Sequence, residues 1–213
     1  MKVRHEPNLV LAIMFTLVAA ALLIASLFTG CIKEEKQHTF VIKAGQQHAT
    51  PKLKAQAYDK SYMLVSFYAN PAWKYTPGVE DGKHRIWGYS DGLHEDDIAI
   101  IDLDYSSYSL AYQCDSSGAV KIYAYSNVDG VGAYEDPGRL IKPMGVLPLD
   151  NHYYLTLERK DGEIVYGVQG VTVDFTGYAK TPAGKDRPGY LLKPYSEHPV
   201  SHDREFQISY TKH

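Results

Sequence analysis

The stretch HYYLTLERKDGEIVYGV, residues 152–168, decides the fold. Tyr153, Leu155 and Leu157 alternate with His152, Tyr154, Thr156 and Glu158. That period of two sets one face of a strand on a core and the other in solvent. Asp161-Gly162 follows, and the chain then resumes as EIVYGV. An Asp-Gly pair between two such runs predicts a two-residue hairpin turn, because both turn positions need a positive φ that Asp tolerates and Gly adopts freely.

The same pattern spreads outward along the chain. TFVIKA (39–44) is a first strand, and SYMLVSFYA sets Met63, Val65, Phe67 and Ala69 against Tyr62, Leu64, Ser66 and Tyr68. HRIWGYS (84–90), DIAIIDLDY (97–105) and YSLAYQC (108–114) read as further strands. AVKIYAYS opposes Val120, Ile122 and Ala124 to Lys121, Tyr123 and Tyr125, and EFQISY closes with Phe206, Ile208 and Tyr210 inward. Asp81-Gly82, Asp91-Gly92 and Asp129-Gly130 supply more turn dipeptides. After residue 40 no segment keeps a 3.6-residue period; RLIKPMGVLPL comes nearest and is broken by Pro143 and Pro148. Many short strands with turns between them imply an all-β domain, either a two-sheet sandwich or a closed barrel.

Composition narrows the function classes. The 213 residues carry a formal charge of −3, with no basic block or stripe, which excludes a nucleic-acid footprint. A chain of this length buries a core without disulfide staples, and it has only two cysteines, Cys31 and Cys114. Cys114 ends a strand-like run with no cation or histidine beside it, so it is expected to act as a small buried hydrophobe. Eighteen tyrosines suit half-exposed sheet faces, where an apolar ring and a polar tip both find partners.

The first thirty residues differ from everything after them. Lys2 and Arg4 precede an uncharged run from Leu9 to Gly30. Twenty-odd helical residues at ~1.5 Å each are long enough to cross a ~30 Å hydrocarbon core. The run ends in LFTGC, Leu27 to Cys31, which resembles the lipobox of bacterial lipoproteins; Phe28 departs from the strict pattern. That resemblance implies cleavage before Cys31 and lipidation of its thiol, with an uncleaved apolar helix as the alternative. IKEEKQ behind it reads as a charged tether, and its KEE resembles the acidic export signal of some surface lipoproteins. The expected organisation is a signal peptide or membrane anchor over 1–30, a tether over 31–38 and a β-domain over 39–213. The expected location is the cell envelope, on the outer membrane or cell surface.

The 152–168 hairpin, with its aromatic-Leu strand running into Glu-Arg and turning on Asp-Gly, is similar to one found in concanavalin-like domains. That similarity, and the missing Gly-x-Trp signature of lipocalins, favours an antiparallel two-sheet sandwich of jelly-roll or concanavalin-like type. It also implies a concave sheet of the kind that holds glycans.

Candidate chemistry is sparse. No nucleophile elbow, phosphate-cradling loop, dinucleotide fingerprint or other cofactor motif appears, and no catalytic residue is assigned. Asp102 and Asp104 share a strand face, as paired acid–base carboxylates would. The Glu-x-Asp-x-x-Glu pattern of sandwich glucanases is absent, so outward charges on an edge strand explain them better. His198, His202 and Asp203 in SEHPVSHD form a nominal metal set, although Pro199 argues against the helix that would bring the two rings together. Three longer loops, 70–83, 127–139 and 179–189, are where binding residues are expected. Trp73 and Tyr75 in the first and Tyr134 in the second are the candidate ligand-stacking aromatics. The first functional expectation is a noncatalytic glycan-binding module held to a membrane by its lipid. A glycan-active hydrolase or lyase is the second, and an assembly lipoprotein that contacts another envelope protein is the third.

Overall fold

The computed structural model describes residues 36–51, 57–58, 62–80, 82–91, 105–185 and 189–210. The N-terminal apolar run, Cys31, the start of the tether, and the acidic stretch holding Asp102 and Asp104 lie outside them.

Among the described residues the chain forms two antiparallel sheets facing each other. Sheet one has the order β1 (Lys36–Ile42), β13 (Arg204–Tyr210), β3 (Tyr62–Ala69), β8 (Asn151–Lys160), β9 (Glu163–Gly170) and β10 (Ala179–Pro182). Sheet two has the order β2 (Ala57–Tyr58), β11 (Gly189–Leu192), β4 (His84–Asp91), β5 (Ser106–Cys114), β6 (Val120–Asn127) and β7 (Ile141–Val146), and β12 (Tyr195–Ser196) also pairs with β4. β1 starts at Lys36 and pairs residue for residue with β13, so Lys36, Gln37 and His38 belong to a strand rather than to a tether. β7, which contains Pro143, is an edge strand, the position that tolerates a residue without a ladder donor.

The hairpin expected at 152–168 is present. Lys160 pairs with Glu163 across Asp161 at φ 52° and Gly162 at φ 77°. Asp129 at φ 48° and Gly130 at φ 80° turn the chain in the same way between Val128 and Val131. The expected inward sets of β3, β6, β8 and β13 are all buried. Aromatic rings join the two layers: Trp87 of sheet two lies 5.5 Å from Phe40 and 5.0 Å from Tyr210 of sheet one.

A charged cluster sits between the sheets beside this apolar core. Arg204 of β13 donates to Glu80 at 2.6 Å and to the Tyr112 hydroxyl at 2.9 Å. Glu80 also accepts the backbone N–H and the hydroxyl of Ser201, each at 2.9 Å. His84 lies 3.2 Å from the other Glu80 oxygen and is fully buried. Burial first, then Arg204 and His198, hold the His84 imidazole far below its ordinary range, so it stands neutral beside a carboxylate already paired with Arg204. Cys114 is buried, as expected, and burial pushes its thiol up.

Candidate functional site

Sheet two is built unlike its partner. β4 and β5 are buried on nearly every residue, on both faces, where an alternating strand would bury one in two. The outward residues explain it. Gly88, Ser90, Ser107, Ser109 and Ala111 are all small; Gly88 pairs with Ser109 and Ser90 with Ser107 along the middle of the sheet, and Ala111 pairs with Arg85. Taller side chains flank them: Arg85 and Tyr195 on one side, Tyr123, Tyr125 and Asn127 on the other. Small residues between tall ones make a trough whose floor is shadowed by its walls. Gly88 lets β4 and β5 approach closely, since a Cβ there would lie 2.2 Å from the Tyr108 carbonyl oxygen. The resulting groove has a volume of about 520 Å³.

Its chemistry is polar, aromatic and predominantly cationic. Lys83, Arg85 and His198 line it, against Glu197 as the one carboxylate among the described lining residues. Glu197 is heavily engaged. It accepts the Tyr134 hydroxyl at 2.7 and 2.6 Å on its two oxygens, and the Lys83 backbone N–H at 2.6 Å. Arg85 donates through Nε to the Lys193 carbonyl at 2.8 Å, with its guanidinium 5.3 Å from the centre of the Tyr195 ring. Asn127 is oriented by donating to Ser107 Oγ at 2.9 Å and accepting Ala133 N–H at 2.8 Å. Burial, followed by the charge of Glu197, drives the Tyr125 phenol well above its ordinary range. Burial and then the hydrogen bond to Glu197 do the same to Tyr134. Both phenols are therefore neutral donors at neutral pH.

The residues singled out in the sequence fall in different places. Tyr134 and His198 line the groove. Trp73 and Tyr75 require correction as ligand-stacking aromatics, because their exposures are 0 and 7%. Asn70 caps a 3₁₀ turn over Pro71–Trp73, and this turn folds the Trp73 indole inward instead of leaving it on the loop surface. The ring packs 5.0 Å from Tyr112 and 5.1 Å from Phe206, and its Nε1–H donates to the Glu205 carbonyl at 2.9 Å. The Tyr75 hydroxyl accepts Cys114 N–H at 3.0 Å and donates to the Gly82 carbonyl at 3.1 Å.

The nominal metal set is not brought together. His202 contacts the Ala72 carbonyl at 2.8 Å and Ser201 Oγ at 3.1 Å, whereas Asp203 accepts from Lys43 at 2.6 Å and from Ala44 N–H at 2.9 Å. Among the described residues no group of three or more His, Cys, Asp or Glu side chains could hold a metal ion. Glu158 stands exposed on the outer face of sheet one, on the other sheet from the groove. Lys83, Arg85, Tyr105, Tyr125, Asn127, Tyr195 and Glu197 were not singled out from the sequence. The readable signal for them was the small outward set of Ser107, Ser109 and Ala111, alternating with Tyr108, Leu110 and Tyr112 on one strand.

No family model and no curated protein sequence matches the chain. Solved structures resemble it in architecture. The alginate lyase Aly36B is 11% identical with a TM-score of 0.48, the match covering 82% of this chain and 78% of that one. The alginate lyase AlyC3 is 11% identical with a TM-score of 0.48, covering 83% of this chain and 74% of that one. The Bacillus licheniformis beta-glucanase is 10% identical with a TM-score of 0.43, covering 84% and 79%. At these identities the likeness is one of fold alone.

Proposed function

We propose that the groove of sheet two binds an anionic glycan. The observation that carries this reading is the groove's charge. Three cationic or protonatable side chains converge on it, and its one described carboxylate is already hydrogen-bonded. Arg85 brings a permanent positive charge to the groove for a sugar carboxylate. Tyr105, Tyr125 and Tyr195 offer ring faces for the apolar faces of sugars, and Asn127 and the serines of the floor suit hydroxyl groups. The test is isothermal calorimetry with acidic and neutral oligosaccharides of equal length. An oligouronate is expected to bind at least about tenfold tighter than a neutral glucan, a gap of about 1.4 kcal/mol, and to weaken as salt is raised. Equal affinity for the two, or no binding of the oligouronate, overturns the reading.

A second reading, glycan cleavage by elimination, is favoured by the tyrosines and His198 around Arg85. In that chemistry a base removes the proton beside the uronate carboxylate and the electrons form a carbon–carbon double bond. The glycosidic carbon–oxygen bond breaks at C4, and an acid protonates the departing oxygen. Arg85 would pair with the carboxylate, with His198 and a tyrosine as base and acid. Paired-carboxylate hydrolysis has less support, because Glu197 has no carboxylate partner among the described lining residues. Ultraviolet absorbance of the unsaturated product separates a lyase from a binder. The lipid anchor rests on LFTGC; the intact mass of membrane-extracted protein is expected to start at Cys31 with acyl groups, and a mass starting at Met1 would sink it.

A further inference from the structure

We propose that Tyr134 and Glu197 form a strap that closes one end of the groove, so that the site takes the end of an acidic glycan chain and not its interior. The proposal rests on the anionic-glycan reading above and adds the mode of binding.

The two residues come from opposite walls. Tyr134 lies in the turn-rich loop after β6, and Glu197 directly follows β12. β5 and β4 run between them, so three strand spacings, roughly 14 Å, separate the two anchoring strands. The Tyr134 hydroxyl nevertheless meets both Glu197 oxygens, at 2.7 and 2.6 Å. The loop that carries Tyr134 and the Glu197 side chain therefore reach toward each other over the floor.

Each end of the strap is fixed. On the β6 side the Tyr134 ring stands edge-on to Tyr125 at 6.1 Å, and the neighbouring Ala133 N–H is held by Asn127 at 2.8 Å. On the β12 side Glu197 exchanges hydrogen bonds with Lys83 in both directions: its N–H donates to the Lys83 carbonyl at 3.2 Å, and its carboxylate accepts the Lys83 N–H at 2.6 Å. Its own carbonyl accepts from Gln47 at 2.6 Å.

The space beneath the strap is filled, which makes this end blind and not a tunnel. The Lys83 ammonium lies 5.2 Å from the centre of the Tyr123 ring in the β6 wall and 5.2 Å from that of Tyr134 in the strap. A cation facing two rings is held by both. Tyr123 pairs with Ala111, so the stop sits at the Ala111 end of the floor. From there the groove continues past Ser109 to Ser107, Asn127 and Tyr105. A bound chain therefore abuts Lys83 and Tyr134 with its terminal sugar and extends toward Tyr105.

The test is the stoichiometry of binding to oligouronates of increasing defined length, with chains bulkily capped at one terminus or the other as comparison. Wild type is expected to bind one protein per chain at every length, and a cap on the recognised terminus is expected to cost at least tenfold in affinity. Tyr134→Ala is expected to bind several proteins per long chain and to accept the capped chain. Tyr134 is 56% exposed, so this variant is expected to keep its thermal midpoint, and Tyr134→Phe removes the bridge to Glu197 while keeping the ring. Wild-type stoichiometry that grows with chain length overturns the strap and leaves the anionic-glycan reading standing. Tyr134→Ala behaving as wild type toward capped chains overturns the role of Tyr134. Failure of every oligouronate to bind overturns both readings.

Discussion

The two sheets share strand chemistry, yet their outer faces differ. On sheet one Tyr62 and Leu64 of β3 and Tyr154 of β8 stand out at 48, 41 and 50% exposure. On sheet two the outward Ser107, Ser109 and Ala111 of β5 are 4, 4 and 2% exposed. The bulkier residues lie in the open and the smaller ones are hidden. Side-chain size produces this inversion: tall side chains on β3 and β8 stand out from the middle of sheet one, whereas small ones on β4 and β5 between tall neighbours make a trough. A sheet acquires a site by what its central strands leave out.

The largest expected effect lies between the sheets and compares two ion pairs. Glu80→Ala leaves the fully buried Arg204 without its counter-charge and is expected to lower stability by about 3–5 kcal/mol in urea unfolding. Glu163→Ala breaks the exposed Lys180 pair on sheet one, at 3.1 Å, and is expected to cost less than about 1 kcal/mol. Similar losses for the two would mean that the Glu80 cluster is not a buried pair.

Next comes the comparison of outer faces. Ser109→Trp fills the floor of the trough and is expected to weaken oligouronate binding at least about tenfold, or about 1.4 kcal/mol, in calorimetry. Leu64→Trp adds a ring to the outer face of sheet one and is expected to leave binding unchanged. The reverse result would move the binding face to sheet one.

The smallest effect is in the pH profile. The native pKa of His84 is depressed, so between the native and unfolded values the unfolded chain binds a proton that the native chain does not. Stability is therefore full above the unfolded value of ~6.5 and falls as pH drops through it. From pH 7 to 5.5 the contribution of His84 is expected to be a loss of about 1 kcal/mol. His84→Gln is expected to flatten that part of the profile by the same amount; an unchanged slope would show that His84 titrates freely in the folded protein.

Strand existence and facing were legible because period-two alternation is a local property. The inward sets of β3, β6, β8 and β13 could be named residue by residue, and both complete Asp-Gly turns proved to be left-handed at both positions. Cys114 was legible as a buried thiol for a related reason, since nothing near it in the chain could activate it. Trp73 misled because its neighbours are polar and proline-flanked. Its environment comes from Phe67, Tyr112 and Phe206, which are adjacent only after the sandwich closes.

By itself the sequence determined the class of fold, the turns and which face of most strands meets the core, because each of these depends on residues within a few positions of one another. The tertiary structure alone decided the site. It set Arg85 against Tyr195, joined Tyr134 to Glu197 across two strands, and placed Lys83 near rings from separate segments. The physical reason is distance along the chain. A groove across a sheet draws each wall from strands far apart in sequence, and no local period records which strands will be neighbours.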